Sequence, residues 1–138
     1  MKSASLIFGS SSLRISLHLL AVIFTATSYA NPNPDIPSQL ELVRLPTYCQ
    51  GQYRPELEKV PGNLIANCGG YMNHFCTALI YLDRSRSVSA PKDIRAANAR
   101  SARGHLAYTI KNMTPSCPIA PDVRAADSTL QFIEKITK

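Results

Sequence analysis

Cys49, Cys68, Cys76 and Cys117 are the side chains of this sequence with the widest chemical range. Thiols can bind a soft metal, cycle a disulfide, act as nucleophiles or pair permanently. Spacing decides among these roles. No two of the four are separated by two residues. The Cys-x-x-Cys of a redox centre and the Cys-x-x-Cys-His of haem attachment are therefore missing. Histidine adds His74 and His105, besides His18 near the N-terminus. A metal-handling centre around His74 and Cys76, with Cys68 or Cys49, would suit zinc or copper by ligand type. Residues two apart on a helix point to different sides, which counts against it. His105 follows Gly104, and the sequence singles out no nucleophile or carboxylate to make it a catalytic base. Hydrolase elbows, phosphate loops and paired-carboxylate motifs are absent. The sequence thus nominates no catalytic residue, cofactor or metal ligand, and the protein is expected not to be an enzyme.

The first thirty residues explain why disulfides are the expected fate of the thiols. Lys2 and Arg14 give a basic start, and Leu19 to Phe24 form the centre of a short apolar run. Ser28-Tyr29-Ala30 then offers the small residues read by a signal peptidase. Residues 1–30 are read as a signal peptide cleaved after Ala30. A spanning anchor would need about 20 predominantly apolar residues, and this run is shorter and diluted by polar ones. An exported chain, periplasmic or secreted, matures where an even set of cysteines pairs. Of the 15 basic and 9 acidic side chains, Lys2 and Arg14 leave with the signal, so the remainder carries a net charge of +4. That mild excess does not by itself select a partner.

Residues 31–37 contain three prolines and are expected to act as a tether, with one small domain over 38–138. Gln39 to Arg44 should make a short helical turn that Pro46 stops. Residues 50–63 read mostly as loop, with a turn of helix near Pro55–Lys59. From Tyr71 to about Arg86, Met72, Phe75, Leu79 and Leu82 mark one face of a helix. After a break at Ser87–Pro91, a second helix is expected from about Asp93 to Met113, with Ala99, Ala102, Leu106, Ile110 and Met113 inward and Arg100, Arg103 and Lys111 outward. A third should run from about Pro121 to Ile136, with Val123, Ala126, Leu130, Ile133 and Ile136 inward. Strand signals are almost absent. The predicted class is all-α, with about three main antiparallel helices behind an irregular N-terminal segment.

This layout orders the cysteines. In an antiparallel hairpin the end of the second helix returns to the start of the first. Cys117 then meets Cys68, and Cys76, inside the first helix, is left for Cys49. Among three connectivities, topology favours Cys49–Cys76 with Cys68–Cys117. Loops of these lengths would stabilise the fold by about 3.5–4 kcal/mol each in the chain-entropy model. Gly69-Gly70 supplies the backbone freedom to enter the helix beside a disulfide. Tyr48, Tyr53, Tyr71, Phe75 and Tyr81 are placed to pack the N-terminal segment onto that helix.

Leu45-Pro46-Thr47-Tyr48-Cys49, then His74-Phe75-Cys76 with Leu79, then Arg103 to Tyr108 and Pro115 to Pro121, resembles a group of small exported proteobacterial proteins with tetratricopeptide-like helical hairpins. The likeness covers roughly residues 45–130. It implies an αα-hairpin interaction module, and it adds support for the Cys49–Cys76 pair. The chain has no clean repeat of about 34 residues and lacks the Trp and Gly of the repeat consensus. Only one and a half hairpins fit.

Arg84, Arg86, Lys92, Arg95, Arg100 and Arg103 form the densest basic run and are the candidate interaction patch. It would meet an acidic protein partner or, peripherally, an anionic membrane surface. Nucleic acid is not expected as a partner, since no aromatics are interleaved with the run. The functional expectation is a non-enzymatic exported interaction or scaffold module. A small disulfide-stabilised effector or inhibitor is the alternative, and a metal-handling protein the next.

Overall fold

Ser38 starts the first described helix by a reciprocal cap. Its side chain accepts from the Glu41 amide (3.3 Å), and the Glu41 carboxylate accepts from the Ser38 amide (2.7 Å). This capping box satisfies two amides that a helix start leaves unpaired. Helix α1 (Gln39–Arg44) follows, in the computed structural model, which describes residues 33–137. The expected signal peptide and its cleavage point lie outside the described residues. A 3-10 turn at Thr47–Cys49 leads into α2 (Gln50–Tyr53), then a second 3-10 turn at Pro55–Leu57. The main helices are α3 (Asn73–Ser85), α4 (Lys92–Asn112) and α5 (Ala120–Thr137). Among the described residues there is no strand, so the fold is all-α as expected.

Helices α3 and α4 form a hairpin, and α5 packs chiefly along α4. Phe75, Ala78, Tyr81 and Leu82 meet Ala99, Ala102 and Leu106, and Val123, Ala126, Leu130 and Ile133 close the core from α5. Alanines on α4 let its backbone come close to both neighbours. Each fully buried Phe or Leu contributes about 1.5–3 kcal/mol of transfer free energy.

Two expected core positions are corrected. Ile110 is 45% exposed and Ile136 is 55% exposed, while their neighbours Thr109 and Thr137 are buried. The Thr109 hydroxyl donates to the His105 carbonyl (3.0 Å), and the Thr137 hydroxyl to the Ile133 carbonyl (2.9 Å). A threonine bonded back to its own helix presents only its methyl group and packs like valine. Helix α3 is also buried more widely than one stripe, taking in Thr77, Ile80 and Ser85.

Both disulfides have the expected connectivity, Cys49–Cys76 and Cys68–Cys117. Each sits in its own small apolar cluster. The first is surrounded by Leu42, Leu45 and Ile80, the second by Met72 and Ala120. The Thr114 amide donates to the Cys68 carbonyl (2.9 Å), which closes the end of α4 onto the approach to α3. Gly69, at φ +97°, lies where a Cβ would come 2.5 Å from the Asn112 carbonyl oxygen. A pair of disulfides fits an oxidising, exported compartment. Among the described residues no helix is long and apolar enough to cross a membrane.

From Asn33 the proline-rich stretch lies against α3. The Arg84 guanidinium donates to the carbonyls of Pro34 and Ile36, and the Tyr81 hydroxyl donates to Asp35 (2.8 Å). Pro37 is buried.

Candidate functional site

The apolar sides of α1, α3 and α5 do not close completely. They leave a groove of about 460 Å³. Leu45, Phe75, Leu79, Leu82 and Ala126 make it apolar, and Arg44, Asp83, Arg86 and Asp122 bring both charge signs to it. Arg44 pairs with Asp83 at 3.2 Å, with both side chains well exposed. The Tyr48 hydroxyl donates to Asp122 (2.9 Å) and so ties the N-terminal segment to the start of α5. Burial, then this bond to a carboxylate, raises the Tyr48 phenol well above its ordinary value.

Helix α5 extends the groove wall. Ala125 and Thr129 line it. Continuing at helical spacing, Phe132 (63% exposed) and Ile136 (55% exposed) fall on the same line of the helix. This helix therefore has two apolar faces, one in the core and one uncovered.

The six residues of the basic run do not form one patch. Arg84 is committed to Glu41, with Nε to Oε1 at 2.6 Å and Nη2 to Oε2 at 3.1 Å. Hydrogen bonding from Arg84 is the main reason that the Glu41 carboxyl falls from 4.5 to about 2, against the opposite pull of burial. Arg103, expected to face solvent, is half-buried between Asp127 and Glu134 of α5. Arg86 lines the groove and has no ion pair among the described residues. Arg100 and Lys92 are exposed on α4, and Arg95 is half-buried there.

Cys76 is locked in a disulfide, which removes it as a ligand beside His74. Among the described residues no group of three or more His, Cys, Asp or Glu side chains is arranged to hold a metal. His74 instead faces His105 across the α3–α4 seam, with Nδ1 to Nδ1 at 3.0 Å. Tyr108 packs on His74 at 4.3 Å with the rings tilted, Tyr71 meets Tyr108 edge-on at 6.0 Å, and Tyr81 stacks on His105 at 5.7 Å. Tyr71, grouped in the sequence with residues packing the N-terminal segment, thus belongs to this seam. The pairing had a signal in the sequence. In an antiparallel hairpin, residues equidistant from the turn face each other, and 74 with 105 and 71 with 108 share one midpoint. Neither imidazole lines the groove between α1, α3 and α5.

Comparison with protein-family models, with curated proteins and with solved structures gives no match for this chain.

Proposed function

We propose that this protein is a non-enzymatic exported interaction module that takes the apolar face of a partner protein's helix into the groove between α1, α3 and α5. The uncovered line Ala125, Thr129, Phe132 and Ile136 carries this reading. Its spacing is what a facing helix needs, and helix-in-groove recognition uses anchors at such intervals. In a tetratricopeptide-like array α5 would be the first helix of a hairpin, and the partner's helix would pack on it as a second hairpin helix does. Arg86 on the groove favours an acidic residue beside the partner's apolar anchors.

A photo-crosslinking residue placed at Phe132, compared with one at Lys111, exposed on α4 and not lining the groove, tests this in the exported fraction of the source cells. The expected result is an adduct from position 132 alone, mapping to an amphipathic helix of the partner. Phe132→Asp should abolish binding with little change in thermal midpoint, because that side chain is mostly in water. Equal adducts from both positions, or none from either, would remove the support for the reading.

A further inference from the structure

His74, His105 and Asp35 come from three separate stretches and stand in a row. His105 Nδ1 is 3.0 Å from His74 Nδ1, and its Nε2 is 3.8 Å from Asp35 Oδ1. The two ring centres are 5.1 Å apart, so the facing nitrogens lie close to the line between them. Each lone-pair direction therefore points at the other nitrogen. A chelated metal would need both to converge on a third point. This is a hydrogen bond, in which one imidazole donates and the other accepts. Asp35 sets its polarity. A carboxylate beside Nε2 holds the hydrogen there, leaving His105 Nδ1 as acceptor and His74 as donor.

Such a bond survives one added proton, which the two rings share. It does not survive two, because both nitrogens are then donors and both rings are cations. His105 is held by its stacking on Tyr81. The two cationic rings then part, and the charge of His105 has Asp35 within reach.

We propose that the row His74–His105–Asp35 is a pH-operated exchange latch. Near neutrality His105 fastens α4 to the start of α3 through His74. In acid it releases His74 and pairs with Asp35, fastening α4 to residues 33–37. Other groups facing the row are Tyr81 and Arg84 of α3, Tyr108 of α4 and Tyr53 of α2. Tyr81, raised to about 12 by burial and by its bond to Asp35, stays a neutral donor throughout. Burial pushes the His105 imidazole below its ordinary 6.5, Asp35 pulls it back, and His74 depresses it further. The exchange does not depend on the groove having a partner.

The test follows the imidazole and backbone amide signals of the labelled, oxidised protein by NMR from pH 7.5 to 4.5. At pH 7.5 His74 should carry its hydrogen on Nδ1 and His105 on Nε2. On acidification the amides of residues 33–37 should shift with the His105 midpoint, and those of residues 72–75 as the pair takes up its second proton. His74→Gln should raise that midpoint, since a neighbouring imidazole is gone. Asp35→Asn should lower it and uncouple the amides of residues 33–37; this side chain is exposed, so the variant keeps the fold readable if His74→Gln does not. Amides at 33–37 that ignore the His105 titration, or a midpoint unmoved by both variants, would overturn the latch. So would one equivalent of zinc chloride at pH 7.5 shifting both rings together, which would make the pair a chelate.

Discussion

Replacing Arg84 by methionine should expose how much of the N-terminal segment hangs on one guanidinium. Arg84 binds Glu41 through two nitrogens and also holds the carbonyls of Pro34 and Ile36. The pair is only partly open to water, at 23% and 16% side-chain exposure. The depression of Glu41 from 4.5 to about 2 sets a ceiling. A difference of that size corresponds to about 3 kcal/mol of linkage. Solvent screening of a partly exposed pair trims the expected loss to about 2 kcal/mol at pH 7. For a domain of this size that lowers the thermal midpoint by about 10 °C. The sign of the pH dependence is fixed by the depression. Stability from Glu41 is present above 4.5 and is lost as pH falls toward about 2. Urea unfolding of the native protein and the variant, followed by far-ultraviolet circular dichroism, should therefore show a gap at pH 7 that narrows between pH 4.5 and 2. Contributions from other carboxylates cancel in that difference. A Glu41→Gln variant should lose a similar amount, and the double variant little more than either alone. A gap that stays constant down to pH 2, or fully additive losses, would refute the ion pair as the source of the stability.

Gly69→Ala should cost at least about 2 kcal/mol, because it combines an unfavourable positive φ with a Cβ 2.5 Å from the Asn112 carbonyl. Gly70→Ala, where an added Cβ would meet open space, should cost under about 1 kcal/mol in the same denaturation assay. Thr109→Val should be tolerated within about 1 kcal/mol, since the hydroxyl it removes bonds only within its own helix. Thr109→Asp should unfold the core, while Ile110→Ser at its exposed neighbour should stay within about 1 kcal/mol.

What the sequence made legible follows from length and punctuation. Helices α3, α4 and α5 are long, periodic and bounded by proline-containing breaks, and their ends fall within two residues of expectation. The disulfide connectivity followed from that hairpin order. Helix α2 was hidden because Gln50-Gly51-Gln52-Tyr53 is four residues with a glycine inside. That glycine is there for a different reason: its amide donates to the Asn63 carbonyl at 2.7 Å, and a Cβ would press on that oxygen. The inward ends of α4 and α5 were misplaced by one residue, since hydropathy ranks isoleucine above a threonine whose hydroxyl is satisfied by its own helix. The basic run looked continuous because sequence proximity does not reveal partners. Glu41, Asp127 and Glu134, which engage Arg84 and Arg103, are 24 or more positions away from them. The groove was invisible for the same reason, being bounded by three separated helices.

The two disulfides interleave along the chain, since Cys68 lies inside the 49–76 span and Cys117 outside it. Their loops are therefore crossed rather than nested or consecutive. A single backbone cut anywhere between residues 49 and 117 leaves both fragments joined by at least one sulfur bridge. Only cuts outside that span release a piece, and α5 is the main element so exposed. The same crossing complicates oxidation during vectorial emergence. The first two cysteines to appear are Cys49 and Cys68, which are not native partners. A chain oxidised in order of appearance must break that bond again, so its maturation should depend on thiol–disulfide exchange rather than on oxidation alone.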